Sequence, residues 1–289
     1  PGDEVICHSQ AHIYVYEGAG IMANSGASVK LLGTPDGLMD AGEVEDAINP
    51  DDPHAARTSL VALENTSNRC GGTCLDFSTI KSIGDVARRH ELGFHLDGAR
   101  LFNALTETEQ TTRDYGAAFD SISVCLSKGL GCPVGSVVVG EPEFIERAHR
   151  GRKLVGGAMR QSGIVAAAGL LALSDGPDGM IERLAVDHAN ARALAEGLAA
   201  IDGIVGLDAA TITTNYIVFG LRPRPGQDQL DAREAFMAET GSRGLAYIGY
   251  PGGRVRALTH YGIERSDIGR ALEITRDALV AAGLGAVAI

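Results

Sequence analysis

Short apolar runs rich in β-branched residues recur along the first half of the chain: "EVIC", "SVKLLG", "TSLVALE", "LGFHLD" and "SISVCLS", the last leading on to "GSVVVG". Helix-like stretches lie between them, a polar one from Asp40 to Ile48 and another from Phe77 to His90. This alternation predicts an α/β domain, a mostly parallel sheet covered by helices.

From Glu141 the pattern changes to long helical segments, "EPEFIERAHRGRKL", "RQSGIVAAAGLLALSD" and "MIERLAVDHANARALAEGLAA", with "SDGPDG" breaking the second from the third. Strand-like "TNYIVFGL", "LAYIGY" and "RVRALTH" follow, with a helix near Gln229 to Arg243 and a final one from Ser266 to Ala282. The expected organisation is a large α/β domain over residues 1–175 and a linking helix with a small α+β domain over 176–289.

Charge narrows the partners. A net charge of −12 opposes adhesion to phosphate backbones or anionic membranes, so nucleic acid is not expected as a partner. The longest apolar stretches fall short of the roughly 20 residues a spanning helix needs, and no membrane segment is expected. Five cysteines, Cys7, Cys70, Cys74, Cys125 and Cys132, lack paired scaffold or zinc spacing. They read as structural thiols in a reducing cytoplasm, with no metal site. The opening "PGDEVICHSQ" carries no signal-peptide pattern and resembles a turn and strand in mid-domain.

Candidate chemistry begins at "HLDGARLFN", where Asp97 closes an apolar run with Arg100 three residues on. In a parallel sheet, ligands lie at the carboxyl ends of the strands, where Asp97 is expected. An aspartate before glycine is also a common turn former. Farther on, "SVCLSKGLGCPVGS" sets Lys128 after another strand and before glycines and a proline that prevent a continuing helix. Paired with Asp97, this lysine suggests a Schiff-base amine facing a pyridinium partner, the arrangement used with pyridoxal phosphate. In isolation it reads as a surface lysine.

Six stretches in order, "QAHIYVYEGAG", "LENTSNRCGGTCL", "HLDGARLFNA", "SVCLSKGLGCPVGSVVVG", "RKLVGGAMRQSG" and "RVRALTH", span residues 10–260. Together they resemble the low-specificity L-threonine aldolases, pyridoxal-phosphate-dependent enzymes of fold type I. The resemblance implies an aspartate-aminotransferase-like large domain and a lyase cleaving L-threonine or L-allo-threonine to glycine and an aldehyde. It also implies a small-molecule β-hydroxy amino acid substrate and a homodimer or homotetramer. By the same resemblance Lys128 forms the Schiff base, Asp97 pairs with the ring nitrogen, His12 stacks on the ring, and Arg100 and Arg256 clamp the substrate carboxylate. Ser127, Lys153 and Arg160 become phosphate contacts, with Arg160 reaching a partner subunit's cofactor.

Bland readings stand beside these. His12 sits in an apolar-aromatic stretch, as a core or interface histidine does. Arg256 alternates with Val255 and Ala257 like a solvent-facing strand residue. Lys153 and Arg160 fall among Arg147, Arg150 and Arg152, as on a solvated basic face. The base that takes the β-hydroxyl proton is expected to be His12, or else a water held by the cofactor phosphate or Ser67.

Two departures from the family matter. Ser67 stands where relatives commonly carry a histidine near the substrate hydroxyl. The family's front segment, with a carboxylate-binding serine and a Gly-Thr-type phosphate turn, does not precede Pro1, so a fragment of a longer chain is expected, one that could be catalytically incomplete. Another β-eliminating lyase chemistry is a further alternative. So is a nicotinamide-dependent oxidoreductase, because "GAGIMA" at residues 18–23 fits G-x-G-x-x-A, with Asp36 and Asp40 near the distance of a ribose-binding acid.

Overall fold

The computed structural model describes residues 1–34, 37–174, 176 and 179–285, and the chain divides into two compact units, Pro1–Glu182 and Arg183–Ile289. Asp36 and Asp175 lie outside the described residues.

In the first unit, β1 (Asp3–His8), α1 (His12–Val15), β2 (Ser28–Leu32), α2 (Ala41–Ala47) and β3 (Arg57–Glu64) come first. They are followed by α3 (Phe77–Arg89), β4 (Gly93–Asp97), α4 (Leu101–Thr106), α5 (Thr112–Ala118), β5 (Ser121–Cys125), β6 (Ser136–Gly140), α6 (Pro142–Leu154) and α7 (Gly163–Ala172). The sheet order is β2-β1-β3-β4-β5-β6, parallel throughout except for β6, which runs antiparallel to β5 at one edge.

Local chemistry sets the helix starts. Asp40 accepts from the Glu43 amide at 2.9 Å while Glu43 returns a bond to the Asp40 amide, a capping box that satisfies two orphan donors of α2. Thr111 and Asp114 do the same for α5. Asp76 caps α3, Arg88 and Arg89 sit in its last turn, and Ile80, Ile83, Val86 and Ala87 supply its buried stripe. Pro142 opens α6 at a position where a missing N–H costs nothing.

The sheet has two unlike faces. Ile6, Val61, Leu63, Phe94, Leu96 and Ile122 pack with α3, Tyr115 and Phe119 into a bulky core, where the Phe94 and Phe119 rings stack at 4.2 Å. Their alternate neighbours Val5, Cys7 and Ala62 belong to a separate cluster of smaller side chains with Ala11 and Ala27.

The second unit consists of α8 (Leu184–Ala199), β7 (Ile204–Val205), β8 (Tyr216–Leu221), α9 (Gln229–Ser242), β9 (Ile248–Tyr250), β10 (Arg254–Leu258) and α10 (Arg265–Ala281). Its sheet is antiparallel in the order β7-β8-β10-β9. Leu198, Ile217, Phe219, Phe236, Tyr247 and Val255 form the core. The buried Tyr247 hydroxyl shares a hydrogen bond with Thr275 Oγ1 at 2.9 Å. Among the described residues, no helix of either unit is long and apolar enough to cross a membrane.

Candidate active site

Glu64 and Asp97 are the last residues of β3 and β4 and are register partners, as are Asp97 and Ser123 on β4 and β5. Partners in a parallel pair point to the same side, and alternation with Leu63, Leu96 and Ile122 puts all three on the face away from the bulky core. The carboxyl ends of β3 and β4, with Ser123 beside them in the middle of β5, therefore carry polar groups on one side, near where open α/β sheets bind ligands.

Glu64 is 7% exposed and both its oxygens are engaged. Oε2 accepts the backbone N–H of His12 at 2.7 Å, and Oε1 accepts that of Asn68 at 2.7 Å. Burial raises its carboxyl above the ordinary range and the nearby Asp97 adds to this, while the two amides pull the other way. From the same loop, the Asn68 side-chain oxygen accepts from the Arg100 guanidinium at 3.3 Å. His12 Nδ1 lies 2.9 Å from Glu17 Oε1, and its ring is tilted against Tyr16 at 5.1 Å.

Asp97 is 8% exposed, accepts the Ala99 amide at 3.1 Å, and among the described residues is in no ion pair. One step back on the same face, His95 Nδ1 shares a hydrogen bond of 2.8 Å with Ser121 Oγ; burial holds its imidazole below the ordinary range against the upward pull of Asp97. Gly98 joins β4 to β5: its N–H donates to Ser123 O at 2.8 Å, and a Cβ there would lie 2.8 Å from that same oxygen. Only glycine allows this approach.

Ser127 and Lys128 are exposed on the turn that follows β5, where Lys128 O accepts the Gly131 amide at 2.9 Å and Leu126 and Cys132 bond across the turn at 3.0 Å. Asp97 and Lys128 thus leave the carboxyl ends of neighbouring strands. Lys153, in the last turn of α6, and Arg160, between α6 and α7, are both exposed. No described hydrogen bond or ion pair joins either to Asp97 or Lys128. Ser67 is 4% exposed and, with His8, Gly37, Met39, Leu75 and Ile80, lines a cavity of about 10 Å³, room for no more than a single water. Arg256 belongs to the second unit, where its guanidinium donates to the Tyr216 hydroxyl at 3.1 Å and lies 5.4 Å from that ring.

The glycine pattern at residues 18–23 does not form a dinucleotide turn. It follows the short helix α1 and runs into a single π-helical turn, Ile21–Ser25, whereas the phosphate-binding turn must lead from a strand into a helix. The nicotinamide alternative loses its structural basis here; Asp36, one of its two acids, lies outside the described residues.

A family model for beta-eliminating lyases matches residues 1–219. The chain belongs to the beta-eliminating lyase family. Within this family it is 38% identical over 284 residues to low-specificity L-threonine aldolase 1 of Arabidopsis thaliana, covering 96% of this chain and 76% of that one. It is 36% identical over 268 residues to the low specificity L-threonine aldolase of Escherichia coli strain K12, covering 92% and 74%. A solved structure of Leishmania major threonine aldolase superposes with a TM-score of 0.77 at 21% identity, covering 96% of this chain and 78% of that one. That likeness shows the fold: the mostly parallel α/β sheet expected from the alternation of strands and helices, in the fold type I architecture that the family resemblance implies.

Glu64, Asn68 and Glu17 have no place among the residues singled out by sequence. A signal for Glu64 exists: "TSLVALE" ends in a carboxylate just as "LGFHLD" does. Asn68 and Glu17 are visible only once the chain is folded, because their partners are Arg100 and Glu64 for the one and His12 for the other.

Proposed function

We propose that this protein is a pyridoxal-phosphate-dependent aldolase that cleaves L-threonine, L-allo-threonine and related β-hydroxy-α-amino acids to glycine and an aldehyde. The observation that carries the reading is the buried carboxylate of Asp97 with no ion-pair partner among the described residues, next to a strand whose exit turn bears Lys128. A buried, unpaired carboxylate costs several kcal/mol unless a cation meets it. A protonated pyridine nitrogen is such a cation and Lys128 is a primary amine for an aldehyde, so the donor set fits the cofactor. Family membership and the threonine aldolase relatives support the same reading.

Pyridoxal phosphate supplies an electron sink for the pair released when the Cα–Cβ bond breaks. The residues of the chain do the rest. Asp97 would face the ring nitrogen and favour its protonated form by its charge. Lys128 Nζ, a primary amine, would hold the cofactor through its aldehyde. Arg100, braced by Asn68, binds the substrate carboxylate through its planar fork. His12 has Nδ1 turned to Glu17, which leaves Nε2 to take the proton of the β-hydroxyl. No redox change occurs: the hydroxyl loses a proton, Cα gains one, and the C–C bond divides into glycine and aldehyde.

Ser127, Lys153 and Arg160 are assigned to the cofactor phosphate on the strength of the motif order. An oligomer in the cytoplasm completes the reading, supported by the exposure of Val137, Val138 and Val139 on β6 and of Ile164, Leu170 and Leu171 on α7.

The test is the visible absorbance of the chain with added pyridoxal phosphate, before and after borohydride, in wild type and Lys128→Ala, followed by glycine release from threonine. Reducible absorbance lost in the variant, with glycine formed, is expected. Absorbance with no glycine from threonine, but with pyruvate released from serine or cysteine, would point to elimination instead. No absorbance in wild type would overturn the reading.

A further inference from the structure

We infer that Glu64 is a positioning residue that holds the His12 segment and the Asn68–Arg100 pair in one frame by accepting a backbone amide from each. The inference rests on the aldolase reading for what His12 and Arg100 do; the bonds themselves stand on geometry.

The two amides come from different segments, a one-turn helix start and the bridged loop beyond β3. His12 begins a four-residue helix with no side-chain cap, and one turn of helix does not hold itself in water. Its N–H is one of the orphan donors of a helix start, and it is met not by a local cap but by a carboxylate 52 positions along the chain. Asn68 lies in the loop beyond β3, held by the Glu64 oxygen at 2.7 Å on its amide, and its side chain in turn braces Arg100. One buried group therefore ties the end of a rigid strand to the start of α1 and to the loop carrying the guanidinium's partner.

A carboxylate is the side chain that fits this task. Two N–H donors arriving from different segments need two acceptors on one rigid fork. Glutamine offers one acceptor and would turn its NH₂ toward the second N–H; serine and threonine have a single oxygen. An apolar residue at a buried strand end would avoid the cost of burying charge but leave both amides unsatisfied. Asp97, its register neighbour, has a different assignment: it accepts a single described amide, from two residues on in its own turn, and the remainder of its carboxylate faces elsewhere.

The experiment compares wild type with the near-isosteric Glu64→Gln. Hydrogen exchange, read by mass spectrometry on the cofactor-free chain, follows the peptides containing His12 and Asn68; absorbance of bound pyridoxal phosphate and the separate kcat and KM for threonine follow on the loaded chain. Loss of one hydrogen bond to a charged acceptor predicts exchange faster by about tenfold or more in at least one of the two peptides and not across the core strands. It also predicts kcat lower by roughly 10- to 100-fold, the scale expected when a reacting group is misplaced. Asn68→Ala keeps the backbone bond to Glu64 but removes the brace on Arg100, so KM should rise with cofactor absorbance unchanged. If Glu64→Gln does not fold, Glu64→Asp, which draws the fork back by one carbon, is read by the same exchange and kinetic measurements.

Unchanged exchange in both peptides overturns the inference. So does faster exchange with kcat and KM intact, which would make Glu64 a structural cap alone, and so does an unchanged KM in Asn68→Ala. Should wild type neither colour with pyridoxal phosphate nor cleave threonine, it is the aldolase reading that fails; the exchange data still decide whether Glu64 holds the two amides.

Discussion

Glu64 and Asp97 stand side by side at the ends of β3 and β4, two buried carboxylates on one face of the sheet with opposite equipment. Both oxygens of Glu64 are occupied by amides of the chain, whereas Asp97 accepts one and has no ion-pair partner among the described residues. Like charges at this spacing repel, and Asp97 helps to hold the Glu64 carboxyl above its ordinary range. The pair therefore divides its equipment: one carboxylate is engaged by the protein's own backbone, while the other keeps the charge that the proposed cofactor's ring nitrogen would meet.

Asp97→Asn keeps the shape and the contact with Ala99 but removes the charge. It should retain pyridoxal phosphate on Lys128 while kcat falls on the order of 10²- to 10³-fold, the loss typical of removing one preorganised electrostatic group. Steady-state kinetics beside the absorbance spectrum check this; a kcat within a factor of about three of wild type would remove Asp97 from the chemistry.

Glu64 also predicts a pH dependence of stability. Its folded-state pKa is raised above the ordinary 4.5, chiefly by burial, so the folded chain binds the proton more tightly than the unfolded one. Below 4.5 that contribution is fully present; as pH rises through the folded-state pKa it is lost. Glutamine at this position does not titrate. The difference in Tm between wild type and Glu64→Gln should therefore shift toward the variant as pH rises above 4.5, and melting curves over that rise that keep a constant difference would contradict it.

Thiol reactivity should sort the five cysteines by burial. The Cys7 thiol is pushed up to about 12, mainly by burial with Glu64 adding to it, and burial also raises Cys132. Both are buried, while Cys70, Cys74 and Cys125 are half-buried. Alkylation of the native chain near pH 8 followed by peptide mapping should leave Cys7 and Cys132 unmodified until the protein unfolds. Rapid labelling of Cys7 in the folded state would mean that the small-residue face around it opens.

Ser67→His, which introduces the imidazole expected from the family resemblance, should destabilise this chain by about 1–3 kcal/mol, the usual penalty for overpacking. The cavity beside Ser67 is only about 10 Å³, and a Cβ on Gly37 would come within 3.0 Å of the Ser67 hydroxyl. Urea unfolding measures this directly. A variant as stable as wild type would show that the segment around residue 67 has a second arrangement with room for an imidazole.

Much of the sheet and part of the site are legible in the amino-acid sequence alone. The parallel sheet shows there because its strands are short apolar runs between helical segments, and Asp97 and Lys128 stand out because a charge that ends such a run has to emerge at a strand's carboxyl end. The roles of Glu64, Asn68 and Glu17 do not show, since each depends on a bond to a segment brought near only by folding. The motif pattern names Ser67 for the substrate hydroxyl; what the spacing does not record is that an isolated bridge to Thr73 folds this residue into a tight loop, 4% exposed and beside Gly37. The glycines at 18 and 20 match a spacing, but spacing does not record that a helix, not a strand, leads into them.

The close approach at Gly98 has a consequence for how this protein can diversify. Because the exit of β4 is fastened to β5 through main-chain atoms, with no side chain between them, the alignment of Asp97 with the turn bearing Lys128 is inherited from the backbone. Loops that meet a substrate's variable end can then drift in sequence without disturbing that alignment, while residue 98 itself has no freedom to change. A scaffold of this kind lets substrate range evolve separately from the core chemistry.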